Sequence, residues 1–279
     1  MPAPLLRLAV VGHVEHVTLG RVPAIPRPGE IVHMDSLRTF AGGGGGVALW
    51  QLAKSPAEVH LFTALGDDEA GRQVEADLAS TGARVHAVRR ARPHNRSIAM
   101  IAPDGDRTIV LAGEPLHPRG DDPLPWELLA GLDGVYFTSD DPAALRLARS
   151  ARVLAVTARR RPAIAASGVR ADVIVGSAVD AREASVRADY PVPPDALVLT
   201  DGARGGRIET ATGTVPFPEP PPPPPPHAAY GAGDSFAAAL LFFLALGLDV
   251  ATACARAGPF GAAVLRGPDP RLAQLPLAP

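Results

Sequence analysis

The chain has 279 residues, 47% of them hydrophobic and 20% charged, with a formal net charge of -2; that suits a large α/β domain with a buried core. So even a charge balance excludes a basic field for nucleic acid or for an anionic membrane surface. A single cysteine, Cys254, excludes an intrachain disulfide and a cysteine-built zinc site.

Residues 5–12 form an apolar run ending in glycine, the pattern of a buried strand. Pro23, Pro26, Pro28 and Gly29 then mark turns. Five consecutive glycines, Gly42 to Gly46, precede a segment whose spacing predicts a helix over 47–53. A strand is expected at 58–64, a loop at 66–68 and an amphipathic helix at 72–80. Strands at 84–88, 97–102 and 107–111 follow, with Asp104-Gly105 as a hairpin signal between the last two. Short apolar strands recur at 134–138, 153–157, 172–175 and 196–200, with helical patterning such as 142–150 between some of them. That alternation predicts βαβ units and a mainly parallel sheet. Seven prolines, Pro220 to Pro226, read as an exposed polyproline spacer.

The opening residues 1–7 lack a charged stretch followed by a long apolar core, so no signal peptide is expected. The longest apolar run, 236–246, falls short of the roughly 20 residues that a bilayer span needs. No membrane association and a cytoplasmic location are the resulting expectations. Of the 27 basic residues only Lys54 is a lysine, so a side chain that clamps phosphate is expected to be an arginine.

The segment most specific to a chemistry is Gly231-Ala232-Gly233-Asp234, which opens the apolar run. Small residues let a ligand approach the backbone. A helix starting there presents free amides and a partial positive charge to an anion. A carboxylate at its edge, Asp234, could accept a proton from a hydroxyl held against a phosphoryl group. From these residues alone, Asp234 serves equally well as a helix cap.

The segment resembles the C-terminal signature of the ribokinase, or PfkB, carbohydrate kinases, usually Asp-Thr-x-Gly-Ala-Gly-Asp. Gly42-Gly43 resembles the double glycine of that family's N-terminal signature, and Gly66, Asp68 and Gly71 its closing pattern. Residues 200–205, Thr-Asp-Gly-Ala-Arg-Gly, resemble its nucleotide loop. The likeness runs from about residue 5 to 267. It implies a three-layer α/β/α sandwich around a mainly parallel sheet, as one domain spanning 1–279, with a small β lid near 12–40 and 90–112. It further implies ATP-dependent phosphorylation of a hydroxyl of a sugar, nucleoside or related metabolite, with Mg2+. Asp234 then corresponds to the general base, and Gly231, Ala232 and Gly233 to an anion hole. His13, Glu15, Gly42, Gly43, Gly44 and Arg96 become substrate-side candidates. Ser177, Thr200, Gly202 and Gly205 become nucleotide-side candidates, with Asp180 for magnesium. Lid strands in the family often pair between two subunits, which carries a homodimer as an expectation.

The departures bear on the acceptor. Val47 stands where sugar kinases of the family place an asparagine, so free ribose and fructose are expected to be poor substrates. Ala228, Ala229 and Tyr230 replace the usual aspartate and threonines, and Ser177-Ala178-Val179-Asp180 stands for Asn-x-x-Glu. These losses leave a non-catalytic ligand-binding or regulatory protein on a kinase scaffold as the alternative. A dinucleotide-dependent oxidoreductase would need a Gly-x-Gly-x-x-Gly turn after the first strand, and none follows Gly12. The histidines of His13-Val14-Glu15-His16 lie three apart and fall on opposite faces of a strand, which argues against a shared metal.

Overall fold

The computed structural model describes residues 5–218 and 228–279; the proline run falls outside them. The first strand, β1 (Arg7–Val11), is buried along both faces, which is why its sequence is continuously apolar. It leads into β2 (Glu15–Arg21), β3 (Asp35–Gly42) and helix α1 (Gly43–Leu52). Then come β4 (Glu58–Gly66), α2 (Glu69–Ala79), β5 (Arg84–Arg90), β6 (Arg96–Ile101) and β7 (Arg107–Ala112). The middle of the chain supplies β8 (Gly134–Phe137), α3 (Pro142–Ala148), β9 (Leu154–Thr157), α4 (Arg161–Ser167), β10 (Val173–Ser177) and β11 (Ala196–Thr200). It closes with β12 (Gly206–Thr210), β13 (Gly213–Phe217), α5 (Ala232–Ala245), α6 (Val250–Val264) and α7 (Pro270–Ala273).

Nine strands form one sheet in the order β13-β12-β11-β10-β9-β8-β1-β4-β5. From β11 to β5 every pairing is parallel; β12 and β13 add an antiparallel hairpin at one edge. Alternate residues of β1 feed two cores. Leu8 and Val10 pack with α1, α2, α5 and α6, whereas Ala9 and Val11 pack with α3 and α4. The architecture is the expected three-layer sandwich with a mainly parallel sheet.

Four strands form a second sheet in the order β3-β2-β6-β7. Val17, Leu19, Phe40, Ala99 and Ile101 on its inner face pack on Val47, Ala228 and Tyr230 of the main body. Its far edge, β7, is exposed along its whole length.

Two helices begin earlier than the spacing predicts. The first turn of α1 is built from the glycines themselves, which hydrophobic periodicity cannot register. Helix α2 starts three residues sooner because the Asp68 carboxylate caps it, accepting from the Gly71 amide at 3.0 Å.

Candidate active site

In a parallel sheet the strand carboxyl ends gather on one edge, where ligands bind. Here that edge collects Gly12 and His13 after β1, Thr138 after β8, Arg159 and Arg160 after β9, Ser177 ending β10 and Thr200 ending β11. The N-termini of α1 and α5 meet at the same edge.

Asp234 lies in the first turn of α5. The turn before it is made by Gly231, whose φ of 85° suits glycine alone among ordinary residues, and Asp234 makes no capping hydrogen bond. The capping alternative is therefore not what the structure holds. Its carboxylate instead accepts from the Tyr136 hydroxyl at 3.2 Å. Burial lifts the Asp234 carboxyl above the usual aspartate range, and Glu15 pushes the same way; Tyr136, His13 and Arg159 only partly oppose this. Ser235 makes the first helical bond, to the Gly231 carbonyl, so the amides of Ala232, Gly233 and Asp234 are left as the free donors of a helix start. A Cβ on Gly233 would meet nothing within 4 Å, so this surface is open.

The double glycine brings α1 against the same point. A Cβ on Gly44 would sit 3.2 Å from Asp234 Oδ1, and one on Gly43, at φ +71°, would sit 2.8 Å from Glu15 Cγ. The Gly43 amide donates to the Tyr230 hydroxyl at 3.0 Å, across 187 residues of sequence. Tyr230 thus fastens the two glycine segments together. Val47, fully buried, packs beneath the Gly231 turn.

Glu15 and His13 face one another, with His13 Nε2 3.4 Å from Glu15 Oε1. Burial would raise the Glu15 carboxyl, but His13, Ser97 and Arg160 outweigh it and hold the group below its ordinary value. Arg160 donates to the Thr138 carbonyl at 2.7 Å and to His13 Nδ1 at 3.2 Å. His16 bonds instead to Gln73, so the two histidines occupy separate neighbourhoods. Arg96 is engaged by Asp68 at 3.0 Å, where β6 leaves the main body.

On the other side of Asp234, Ser177 and Thr200 pair at the ends of their strands. Gly202 and Gly205 hold positive φ values of 57° and 76° in the loop that follows, which Arg204 and Asp201 brace with two hydrogen bonds. Arg159 bridges Asp180 at 2.6 Å and Glu183 at 2.5 Å. Glu183 also accepts from the Ser177 amide at 2.9 Å. Burial raises its carboxyl, and Asp234 adds to the rise against Arg159. Among the described residues, no three His, Cys, Asp or Glu side chains form a metal cage.

Sequence reasoning missed Tyr136, Thr138, Arg159, Arg160 and Glu183. The first four follow or end strands in segments without a motif. Glu183 lies three residues beyond the position that Asn-x-x-Glu spacing selects, and only the fold turns it inward.

The profile of the pfkB family carbohydrate kinases matches residues 6–165 and 171–276. The chain belongs to that family, and is accordingly an ATP-dependent phosphotransferase with an alcohol acceptor, of the sugar and nucleoside kinases. Among curated proteins it resembles an ATP-dependent ribose-1-phosphate kinase of Halopiger xanaduensis, with 25% identity over 254 residues, 85% of this chain and 84% of that one. Its fold matches the ribokinase of Giardia lamblia with a TM-score of 0.76 at 16% identity, covering 98% of this chain and 97% of the other. It also matches the Arabidopsis thaliana ribokinase complexed with ribose and ATP, with a TM-score of 0.73 at 15% identity and coverage of 97% and 96%. No helix among the described residues is long and apolar enough to cross a membrane.

Proposed function

We propose that the chain transfers the γ-phosphoryl group of ATP to a hydroxyl of a sugar-type acceptor, with Asp234 as general base. The observation that carries this reading is the position of Asp234, free of any capping role, beside open helix amides and the α1 glycines. The acceptor oxygen would give its proton to Asp234 and bond to the γ-phosphorus as the bond to the ADP oxygen breaks. The amides of Ala232 and Gly233 would face the charge that develops. His13, Glu15, Gly42, Gly43 and Gly44 would shape the acceptor side, under the small sheet acting as a lid. Ser177, Thr200, Gly202 and Gly205 would line the nucleotide side.

Magnesium in kinases is held by one or two carboxylates together with phosphate oxygens and water. Asp180 and Glu183 offer that donor set beside Asp234, although Arg159 now pairs with both. There the ion would neutralise phosphate charge. We also propose a homodimer through the small sheet, where Ile98, Ile109, Val110 and Leu111 are exposed.

The test is Asp234→Asn, measured with a panel of sugars, nucleosides and ribose 1-phosphate. Turnover is expected to fall at least about a hundredfold, with ATP-analogue affinity retained. Because burial raises the carboxyl, the base is lost on acidification at a higher pH than an ordinary aspartate would give. The acid limb of the wild-type rate profile should shift upward to match. Wild-type turnover in the variant removes Asp234 from the chemistry.

A further inference from the structure

A strand buried on both faces is apolar throughout, and β8 departs from that once, at Tyr136. Val135 and Phe137 on either side of it point into the core shared with α3 and α4. Tyr136 points the other way, into the layer between the sheet and α5, where it is the one tyrosine among the apolar side chains described for that core. It is only 2% exposed. A phenylalanine would fill the same space. A phenol buried there costs free energy unless its hydroxyl is bonded, and this hydroxyl donates to Asp234 Oδ1 at 3.2 Å.

That bond fixes one oxygen of the carboxylate and leaves the other. Oδ1 is held from the sheet side by Tyr136, and on the α1 side it lies 3.2 Å from the point that a Gly44 Cβ would occupy. Among the described residues no other hydrogen bond reaches the Asp234 side chain. An aspartate in the first turn of a helix readily folds back onto free backbone amides. Here that would close off Ala232 and Gly233, two of the donors that α5 leaves open. Burial lifts the Asp234 carboxyl, and the Tyr136 bond works against burial by favouring the charged form. The phenol itself stays a donor, because burial, and then the charges of Asp234 and Glu183, push its ionisation well above the ordinary tyrosine value. The other charged groups that act on Asp234 are His13 after β1, Glu15 at the start of β2 and Arg159 after β9. Glu183, Arg160 and Tyr230 feel its charge in turn.

We propose that Tyr136 is a positioning residue for phosphoryl transfer: its hydroxyl anchors Oδ1 against the sheet, keeps the carboxylate off the amides of its own helix, and leaves Oδ2 to receive the acceptor's proton. The proposal rests on the reading of Asp234 as general base. As the acceptor oxygen bonds to the γ-phosphorus and the bond to the ADP oxygen breaks, the acceptor's proton passes to Oδ2, and the Tyr136 proton stays on the phenol. One hydrogen bond thereby serves both halves of the centre, the base and the anion-binding amides. Phenylalanine at this position packs equally well and fails in both, because the freed carboxylate gains the amides as competing partners.

The experiment compares wild type, Tyr136→Phe, Asp234→Asn and the double variant, on whichever of the sugars, nucleosides and ribose 1-phosphate the wild type turns over best. Turnover across pH, calorimetric affinity for an ATP analogue and melting temperature are read on each. Tyr136→Phe should lower kcat on its high-pH plateau by about ten- to a hundredfold, the size that a hydrogen bond to a charged group supplies. The acceptor KM and the ATP-analogue affinity should change little. The acid limb of the variant should lie above that of wild type, since the bond that favours the charged carboxylate is gone. In the Asp234→Asn background the same change should cost nothing further, because Tyr136 acts only through the carboxylate. An equal loss of turnover in both backgrounds, a wild-type plateau in Tyr136→Phe, or a Tyr136→Phe chain that does not fold overturns the proposal. If Asp234→Asn is crippled while Tyr136→Phe keeps the wild-type plateau, the base reading stands without it. If Asp234→Asn turns over like wild type, or wild type phosphorylates nothing in the panel, the base reading falls and takes the proposal with it.

Discussion

His94, at the root of the small sheet, is buried in the neutral form. His94 takes a hydrogen bond from the Gly66 amide on Nδ1, and burial pushes its imidazole from 6.5 down to about 4. The unfolded chain binds this proton near the ordinary value and the folded chain does not. Stability is therefore full above about 6.5 and is lost as pH falls toward 4, at about 1.4 kcal/mol per pH unit for each such proton. His94→Asn keeps an acceptor for Gly66 but removes the proton site. Urea midpoints measured from pH 7 down to pH 4.5 should fall less steeply for the variant than for the wild type. Parallel slopes would mean that another group controls the acid sensitivity.

At the scale of single elements, α1 shows how far a glycine run is a constraint rather than slack. Gly43 has φ +71° and its missing Cβ is replaced by Glu15. Gly43→Ala should therefore suffer twice, from left-handed backbone strain of about 1–2 kcal/mol and from displacing Glu15. Gly82 has nearly the same backbone, φ +76°, with nothing within 4 Å of a Cβ, so Gly82→Ala should pay the backbone cost alone. A lower melting temperature for the first variant, with a raised acceptor KM seen only there, is the expected result. Equal effects would show that the Glu15 contact does not matter.

The same elements explain what the sequence made legible. The sheet strands were readable because burial on both faces writes itself as unbroken apolar runs. The Gly231-Ala232-Gly233-Asp234 turn was readable because only glycine serves a left-handed start. The side chains that close around Asp234 and His13 were legible only in part. Thr138 sits in a loop and Arg160 in a short turn, and neither follows a periodicity that could mark it. Their shared environment exists only once β1, β8 and β9 lie side by side. The β12–β13 hairpin was missed for a simpler reason: β12 is half-buried and carries Arg207 and Glu209, and β13 is exposed up to its last residue, so alternation is faint.

For the whole molecule, the small sheet presents its far side to solvent. Ile98 and Val110 are cross-strand partners, 39% and 48% exposed, and Leu37 on β3 is 61% exposed. Apolar residues gathered on one sheet face mark an association surface more often than scattered ones do. Light scattering during gel filtration should give twice the mass of one chain, and Val110→Asp should return it toward a single chain. A wild-type monomer at micromolar concentration removes the proposed dimer.

The bond between Tyr230 and the Gly43 amide spans 187 residues, and this sets a timetable for synthesis. The glycine turn of α1 leaves the ribosome early, while Tyr230 and Asp234 belong to the last fifth of the chain. A nascent chain could lay down the parallel strands from β1 to β11 with no competent centre anywhere in it. The chemistry would then be switched on in one late event, when α5 slots between the strands and α1. On the reading of Asp234 as the base, a chain interrupted before that point would lack that carboxylate, and so could not spend nucleotide while still being made.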